Sequence, residues 1–265
     1  SKAYVYFGDP ALKLNYPENI IEITSINEHD VNETDTLKAL QTINVKGVIN
    51  DPFGTHLSDF NGLLHINIYD KDVTYNTYGN EAEVFAFKLR NNLIYTGKAK
   101  ITNGVFSAEL TLPKDINYSY GNGLISMYAY SDKDDAQGFY SNIIIGGLNE
   151  DVVFDDEGPE IKLFIDDEHF ADGSMTNENP LLIAYLKDNN GINTSSAGIG
   201  HDITATLSGA TNKTYSLNQF YNAPTSSDEF GTLTYKLYDL NEGEHLLSFR
   251  AWDIYNNSNT TTISF

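Results

Sequence analysis

Alternation of apolar and polar residues runs through the chain and predicts β-strands rather than helices. Short runs rich in Ile, Val, Thr, Tyr and Phe are separated by Gly, Asn and Asp. The clearest case is residues 98–102 and 105–110, two alternating runs joined by Asn103 and Gly104, a dipeptide that suits a type I′ turn. No stretch of a dozen residues keeps a helical period, so we expect little helix and a hairpin at this turn.

Similar runs predict further strands along the whole chain. In the first part they cover residues 40–48, 63–69, 84–88, 124–130 and 142–145. In the second part they cover residues 160–165, 181–186, 202–207, 213–217, 232–237, 245–251 and 260–265. About seven short strands in about 110 residues is typical of an immunoglobulin-like sandwich. The predicted fold class is therefore all-β, with two immunoglobulin-like antiparallel β-sandwich domains in tandem.

An acidic segment separates the two series of strands. Residues 148–157 lie between the breakers Gly146-Gly147 and Gly158-Pro159, a composition that indicates a junction. A chain of 265 residues also exceeds the usual size of a single core. We therefore predict a boundary near residue 155, with one β-sandwich domain in residues 1–155 and a second in residues 156–265.

Composition and charge exclude several classes of function. The chain has 37 acidic and 16 basic residues, a net charge of −21, which would repel phosphate backbones and argues against nucleic acid as a partner. It contains no cysteine, which excludes disulfides, thiolate metal sites and a cysteine nucleophile within it. No window approaches the roughly 20 apolar residues of a membrane-spanning helix, so we expect no transmembrane segment.

Both ends of the chain are expected to continue in a longer protein. The sequence starts at Ser1 without an export signal, and its last residues up to Phe265 lie inside a predicted strand.

Three acidic segments are candidate calcium sites, because clustered oxygen ligands suit this ion. The densest is the loop with Asp132, Asp134 and Asp135, but it lacks the glycine and glutamate positions of an EF-hand, and we expect an exposed, solvated loop. Residues 166–169 and 188–191 have a similar composition, and we interpret the second as a turn between strands. We predict no metal ligand and no cofactor.

His201 is followed by Asp202, a pair that invites a general-base interpretation. Neighbouring residues of a strand point to opposite faces, so Asp202 cannot orient the imidazole, and a structural role is expected for His201. The six histidines show no pair at metal-ligand spacing, which leaves a zinc site unsupported. We therefore predict no catalytic residue in this chain.

Aromatic residues leave a binding function open. Trp252, the only tryptophan, is expected to cover a core edge rather than serve as a ligand platform. Tyr118, Tyr120, Tyr128 and Tyr130 could form a sugar-binding face, although tyrosine also suits half-buried strands. Exposed coplanar rings on one sheet face would favour a glycan- or lipopolysaccharide-binding module. Carboxylates that converge in a cleft would instead favour an independent enzyme such as a glycosidase.

Particular segments resemble a known family. Phe7, Gly8, Asp9 and Pro10 open a segment that resembles the end of the peptidase domain in gingipain-type cysteine peptidases. Downstream segments are similar, in order, to the region behind that domain in the sortases of the type IX secretion system of Bacteroidetes. They are residues 38–42, 59–62, 113–118, 144–147, 155–161, 190–193, 198–203 and 251–257.

The resemblance implies a function for the longer protein rather than for this chain. It implies a cell-surface enzyme at the outer membrane that removes C-terminal sorting signals from secreted cargo and helps join the cargo to lipopolysaccharide. Its nucleophilic Cys and its His would lie N-terminal to Ser1, and the first residues of this chain would be the tail of the peptidase region. The chain itself is then expected to be a non-catalytic scaffold and docking surface. Its implied partners are the upstream peptidase domain and other proteins of the surface attachment complex.

Overall fold

A computed structural model of the chain describes residues 15–31, 33, 36–80, 83–152, 155–195, 200–224 and 230–265. Over these ranges the protein is all-β, with twenty-one strands and one 3₁₀-helix of three residues, Asn218–Phe220. No helix in the described ranges has the length and apolar character needed to cross a membrane. The Phe7 to Pro10 segment lies outside the described residues.

The first thirteen strands form one unit, which we call the barrel unit. They are β1 Asn19–Ile26, β2 His29–Asp30, β3 Thr36–Ala39, β4 Thr42–Asn50, β5 Gly62–Tyr69, β6 Val73–Asn76, β7 Ala86–Leu89, β8 Leu93–Thr102, β9 Val105–Thr111, β10 Gly121–Asn122, β11 Leu124–Ser131, β12 Asp135–Tyr140 and β13 Ile144–Leu148.

Seven of these strands close into a ring in the order β1, β4, β9, β8, β5, β11, β12 and back to β1. All neighbours are antiparallel except β12 and β1, which pair in parallel through Asn19 with Ala136 and Ile20 with Gln137. The first domain was predicted to be a sandwich, and that prediction is wrong, because the first and last strands of the ring pair. Alternation within strands is the same in a sandwich and in a barrel, so the sequence pattern does not distinguish them.

The barrel interior is filled by the buried residues of alternating strands. Ile43, Val45 and Ile49 of β4 point inward together with Gly47. A Cβ at Gly47 would lie 2.4 Å from Phe106 Cζ, so the missing side chain leaves the space that the buried Phe106 ring fills. Burial of a phenylalanine of this kind contributes about 2–3 kcal/mol to folding.

The remaining strands of this unit lie beside the ring. Strands β10, β13 and β3 form a small sheet, which contributes Leu37, Ala39 and Ile145 to the same apolar core. Strands β6 and β7 form a separate hairpin. The predicted hairpin between β8 and β9 is confirmed: Asn103 and Gly104 have φ of 53° and 72°, as a type I′ turn requires.

The last eight strands form the second unit, which we call the two-sheet unit. They are β14 Glu160–Ile165, β15 Leu181–Lys187, β16 Thr204–Gly209, β17 Lys213–Ser216, β18 Tyr221–Asn222, β19 Phe230–Lys236, β20 His245–Trp252 and β21 Ser258–Ser264. One antiparallel sheet has the order β14-β15-β19-β18, and the other has the order β17-β16-β20-β21.

The two sheets share one core. Leu182, Ala184 and Leu186 of β15 lie in the same apolar cluster as Leu247 and Phe249 of β20. The apolar cluster of the barrel unit draws on residues 21–145, and that of the two-sheet unit on residues 163–263. The domain boundary near residue 155 stays a prediction, and part of its neighbourhood, residues 153–154, lies outside the described residues.

Candidate functional site

Polar side chains of the two units meet in one place, which we call the junction. The barrel unit contributes the segment after β9, where the Lys114 N–H donates a hydrogen bond of 2.8 Å to the Ile254 carbonyl. The two-sheet unit contributes the segments that follow β15 and β20. Lys98 of β8 also donates to the Asn222 side chain of β18. The junction therefore contains both backbone and side-chain contacts between the units.

Asp115 is the central acceptor of the junction. Its Oδ2 lies 2.6 Å from His201 Nδ1 and accepts a hydrogen bond of 3.0 Å from Asn193 Nδ2. Its Oδ1 accepts a hydrogen bond of 2.8 Å from Asn256 Nδ2. His201 thus meets the carboxylate of Asp115, which comes from the other unit and which sequence reasoning missed, instead of that of Asp202. A loop residue and a histidine so distant in sequence carry no local signal of this pairing.

Trp252 is covered by two neighbouring side chains. The His201 ring lies 4.3 Å from the indole centroid, and the Arg250 guanidinium lies 4.1 Å from it. Arg250 is held by hydrogen bonds of 3.2 and 2.9 Å from its Nε and Nη2 to Ser258 Oγ. These contacts occupy the indole, so Trp252 is not an open platform for a ligand.

Three carboxylates converge beside this network, and we call them the aspartate triad. One oxygen from each of Asp155, Asp188 and Asp253 lies within 4.8 Å of the other two. Asp188 is 8 % exposed and Asp253 is fully buried. Among the described residues, no lysine, arginine or histidine forms an ion pair with any of the three.

Neutral donors position the triad. Asn190 Nδ2 donates to Asp155 Oδ2 at 2.6 Å, and the Asn190 N–H donates to Asp188 Oδ1 at 2.8 Å. The Asn257 N–H and Nδ2 donate to the two oxygens of Asp253 at 2.7 and 2.9 Å. The same Nδ2 lies 3.1 Å from the Asp155 carbonyl oxygen, which fixes the linker against the turn after β20.

Burial dominates the electrostatics of the triad. It raises the pKa of Asp253 to about 6, and the negative charges of Asp188 and Asp155 add to this effect, while the hydrogen bonds from Asn257 oppose it. Burial also raises the pKa of Asp188, and the charges of Asp155 and Glu157 act in the same direction. Negative charges held together away from water favour the protonated form, unless a cation neutralises them.

An open cavity adjoins the triad. It has a volume of about 250 Å³ and is lined by Asp155, Glu157, Gly158, Glu160, Lys187, Asp188, Asn189 and Asn190. Lys187 forms no ion pair with the triad. The site is therefore buried on the side of Asp253 and reachable from the side of Asp155. Chemically, the arrangement offers several hard oxygen donors to a small cation.

From the sequence, Asp188 was expected to be a turn residue. Asp155 and Asp253 were not among the candidate metal ligands. Asp188 does close a turn, through its bond from the Asn190 N–H, but it also faces the other two carboxylates. Asp188 directly follows β15, Asp253 directly follows β20, and Asp155 precedes β14. The sequence shows that acidic residues lie next to strand ends. Only the fold shows that these particular strand ends lie close together.

The other acidic candidates lie elsewhere. Asp132 and Asp134 are exposed in the turn between β11 and β12, where the Asp134 N–H donates to Ser131 Oγ at 3.0 Å. Asp135 belongs to β12 and accepts a hydrogen bond of 3.2 Å from the Tyr128 hydroxyl. In the 166–169 segment, Asp166 accepts the Leu181 N–H at 2.9 Å.

Part of the predicted aromatic face is present on the barrel. Tyr128 and Tyr130 are exposed on the same face of β11, with ring centroids 6.4 Å apart. His65 of β5 stacks on Tyr130 at 5.8 Å, and we call these three residues the aromatic strip. Tyr118 and Tyr120 precede β10, and no ring contact within the described residues joins them to the strip.

Two solved structures resemble the chain only weakly. A transglutaminase from red sea bream has 8% identity over 92% of this chain and 31% of its own, with a TM-score of 0.23. A chaperone–tip adhesion subunit complex from Acinetobacter baumannii has 9% identity over 87% of this chain and 94% of its own, with a TM-score of 0.24. No protein-family model matches the chain, and no curated protein matches it.

A third solved structure matches in both sequence and fold. It is the crystal structure of dimeric latent PorU from Porphyromonas gingivalis, with 31% identity and a TM-score of 0.57. The match covers 97% of this chain and 25% of the PorU chain, so this chain spans about a quarter of the length of that protein. The chain is therefore similar in sequence and fold to about a quarter of PorU.

Proposed function

We propose that the chain is a non-catalytic β region of a PorU-like sortase, a gingipain-type cysteine peptidase of the type IX secretion system at the outer surface of the outer membrane. The observation that supports this most is the match over 97% of the chain to 25% of PorU. In this proposal the peptidase lies in the part of the longer protein that corresponds to the rest of PorU. The region described here supports that peptidase and docks it to its partners.

The contacts at the junction suit a supporting role. Asp115 accepts hydrogen bonds from three side chains of the two-sheet unit, and a backbone bond from Lys114 reinforces them. His201, the residue that most invited a catalytic interpretation, is engaged by Asp115 and Trp252. These groups hold one unit against the other, which a spacer needs in order to transmit a fixed geometry.

The two-sheet unit is proposed to be an immunoglobulin-like sandwich. If β14 to β21 are lettered A, B, C, C′, D, E, F and G, the two sheets read A-B-E-D and C′-C-F-G. This is the strand order of immunoglobulin domains with one additional strand. Of the two sandwich domains predicted from the sequence, we therefore propose only the second.

An exposed apolar patch near the beginning of the described chain is the proposed docking surface for the upstream peptidase. Ile20 of β1 and Phe139 of β12 are exposed on paired strands, and Tyr16 is exposed just before β1. Gln137, between Phe139 and the start of β12, donates to the Pro17 carbonyl at 3.1 Å, which holds the incoming chain beside the patch. The patch therefore adjoins the point where the chain arrives from the upstream side.

The experiment is a substitution in the longer protein that contains this chain. Phe139→Lys should lower the thermal stability of the peptidase part and its rate of cleavage of a sorting-signal peptide. The control is Phe53→Lys, because Phe53 is also exposed, at 92 % against 73 % for Phe139, but lies in the loop after β4. Equal behaviour of the two variants would contradict docking at this patch. Cleavage of the peptide by the isolated chain would contradict the non-catalytic role.

The aromatic strip favours a second candidate, a glycan- or lipopolysaccharide-binding module. Exposed tyrosines along one sheet face are a suitable platform for sugar rings. Tyr128 and Tyr130 lie on one face with their rings tilted by 31°, and His65 stacks on Tyr130. To test this candidate, the polysaccharide part of lipopolysaccharide is titrated into the chain and binding is monitored by NMR. Tyr130→Ala should weaken binding at least tenfold, and Tyr78→Ala, a change at an exposed loop tyrosine, should not.

A further inference from the structure

We propose that the aspartate triad, Asp155, Asp188 and Asp253, binds a calcium ion that fastens the linker to the two-sheet unit at the junction. This proposal does not depend on the relation to PorU. It rests on the burial and convergence of the three carboxylates, on the absence of an ion pair to any of them among the described residues, and on the space beside them.

The burial of unpaired charge is the first argument. Asp188 and Asp253 are both more than nine-tenths buried, and their oxygens approach Asp155 to within 4.8 Å. No side-chain donor of the described residues reaches Asp188, whose hydrogen bonds come from backbone N–H groups. Among the described residues, the side chain of Asp253 accepts hydrogen bonds only from the neutral Asn257. Buried carboxylates are normally paired with a cationic side chain, protonated, or bound to a metal. No cationic side chain of the described residues forms an ion pair with these three, so a bound cation is what would keep all three ionised at neutral pH.

The donor set selects the type of ion. All three groups are carboxylates, and the cluster contains neither histidine nor cysteine, so a hard cation is preferred over zinc or copper. Calcium holds oxygens at about 2.3–2.6 Å, which allows two ligands to lie up to about 5 Å apart, whereas magnesium at about 2.1 Å allows only about 4 Å. The triad oxygens all lie within 4.8 Å of one another, a spacing that calcium can span with its flexible coordination.

The surroundings can complete the coordination shell. Calcium takes about six to eight oxygens, more than three carboxylates supply with one oxygen each. Asn190 and Asn257 already touch Asp155 and Asp253 through their amide nitrogens, and rotation of either amide by half a turn would present its oxygen to the ion. The adjoining cavity of about 250 Å³ gives access and room for water ligands.

The ion would connect three parts of the fold. Asp155 belongs to the linker between the units, Asp188 follows β15 of one sheet, and Asp253 follows β20 of the other. Binding at this point would fix the linker against both sheets, next to the Asp115 contacts. Calcium would then set the stiffness of the junction.

The test uses the whole chain, with terbium as an optical substitute for calcium. Burial raises the pKa of Tyr255, and the nearby charges of Asp155 and Asp253 raise it further. Tyr255 therefore lies near the triad and can sensitise terbium emission. We expect terbium luminescence that calcium displaces. We also expect calcium at about 100 times its Kd to raise Tm by roughly 5 °C above the value in EDTA.

Matched variants separate binding from a purely structural role. Asp188→Asn should lose the terbium signal and the calcium-dependent rise in Tm, yet be at least as stable as the native chain in EDTA, because it removes one of three like charges. Asp134→Asn, in the exposed turn between β11 and β12, should behave as the native chain. The proposal is overturned if millimolar calcium leaves the Tm of the native chain unchanged, or if Asp188→Asn keeps the full calcium response.

Discussion

Replacement of Asp253 by Asn should stabilise the calcium-free protein at neutral pH. Burial raises the pKa of Asp253 from 3.8 to about 6, so folding disfavours its ionised form. At 1.36 kcal/mol per pH unit this corresponds to at most about 3 kcal/mol of destabilisation at pH 7. The Asn side chain is neutral and nearly the same size, and therefore removes this cost without leaving a cavity.

The sign of the effect follows from proton binding. The folded-state pKa of Asp253 lies above its value in the unfolded chain, so the folded protein binds more protons between the two values. The contribution of Asp253 to stability is fully present below pH 3.8 and is lost as the pH rises to about 6. Without calcium, this group therefore makes the protein less stable as the pH increases across that window.

The hydrogen bonds of Asp253 reduce the expected gain. Asn at this position keeps one oxygen that accepts the Asn257 N–H. Its NH₂ group faces the Asn257 Nδ2, and because both are donors, the Asn257 amide has to rotate. A rearrangement of one neutral hydrogen bond costs about 1 kcal/mol. The expected net stabilisation at pH 7 is about 1–2 kcal/mol.

The assay is urea unfolding in EDTA at several pH values between 4 and 7.5, followed by circular dichroism. The native chain, Asp253→Asn and the exposed-turn control Asp134→Asn are compared. We expect the advantage of Asp253→Asn to be absent near pH 4 and to grow as the pH approaches 7. A variant that is less stable than the native chain at every pH, with an unchanged pH dependence, would refute the reasoning.

Three further changes test the packing and the contacts described above. Phe106→Ala should destabilise the barrel unit by about 3–5 kcal/mol in denaturant unfolding, because its ring fills the space at Gly47. Gly104→Ala should cost more than about 1 kcal/mol, since its φ is 72° and a Cβ would lie 2.3 Å from the Leu57 carbonyl oxygen; the β8–β9 amides should then exchange faster with deuterium. Asp115→Ala leaves three donors of the two-sheet unit without their acceptor and should lower stability by about 2–4 kcal/mol, with faster proteolysis of the linker; an unchanged digestion pattern would argue against the junction contacts.

Strands and turns could be predicted from the sequence because their signals are local. The alternation in residues 245–251 identified β20, and Asn103-Gly104 identified the turn before β9. Both features depend on residues within a few positions of one another, and on backbone preferences that the residue types carry themselves.

Closure of the barrel could not be predicted in the same way. It depends on a short parallel pairing of β1 with β12, through Asn19 with Ala136 and Ile20 with Gln137. The residue pattern of neither strand predicts which strand it pairs with. An open sandwich would bury the same alternating faces. The choice is made by the whole set of strands rather than by any one of them.

The junction depends on distant residues even more strongly. Asp115 contacts His201, and Asp155 lies close to Asp188 and Asp253. These residues are so far apart in the sequence that their spacing does not predict the contacts. Adjacent pairs such as His201 and Asp202 attract attention in a sequence, but in the structure both lie before β16 and His201 contacts Asp115 instead. In a protein with 37 acidic residues, the three that converge become visible only through the fold.

The similarity to PorU gives these features a common context. The chain that contains the barrel unit, the two-sheet unit and the junction matches about a quarter of that protein. In the proposed role, the junction keeps the two units in a fixed relation, while the patch at Ile20 and Phe139 faces the peptidase part.

The most direct test of this role is to compare three proteins in one peptidase assay: the longer protein that contains this chain, the same protein without residues 15–265, and the isolated chain. The substrate is a peptide that carries a C-terminal sorting signal. We predict cleavage by the longer protein, a marked loss of activity and of thermal stability when the region is removed, and no cleavage by the isolated chain. Cleavage by the isolated chain, or full activity and stability without residues 15–265, would contradict the proposed role.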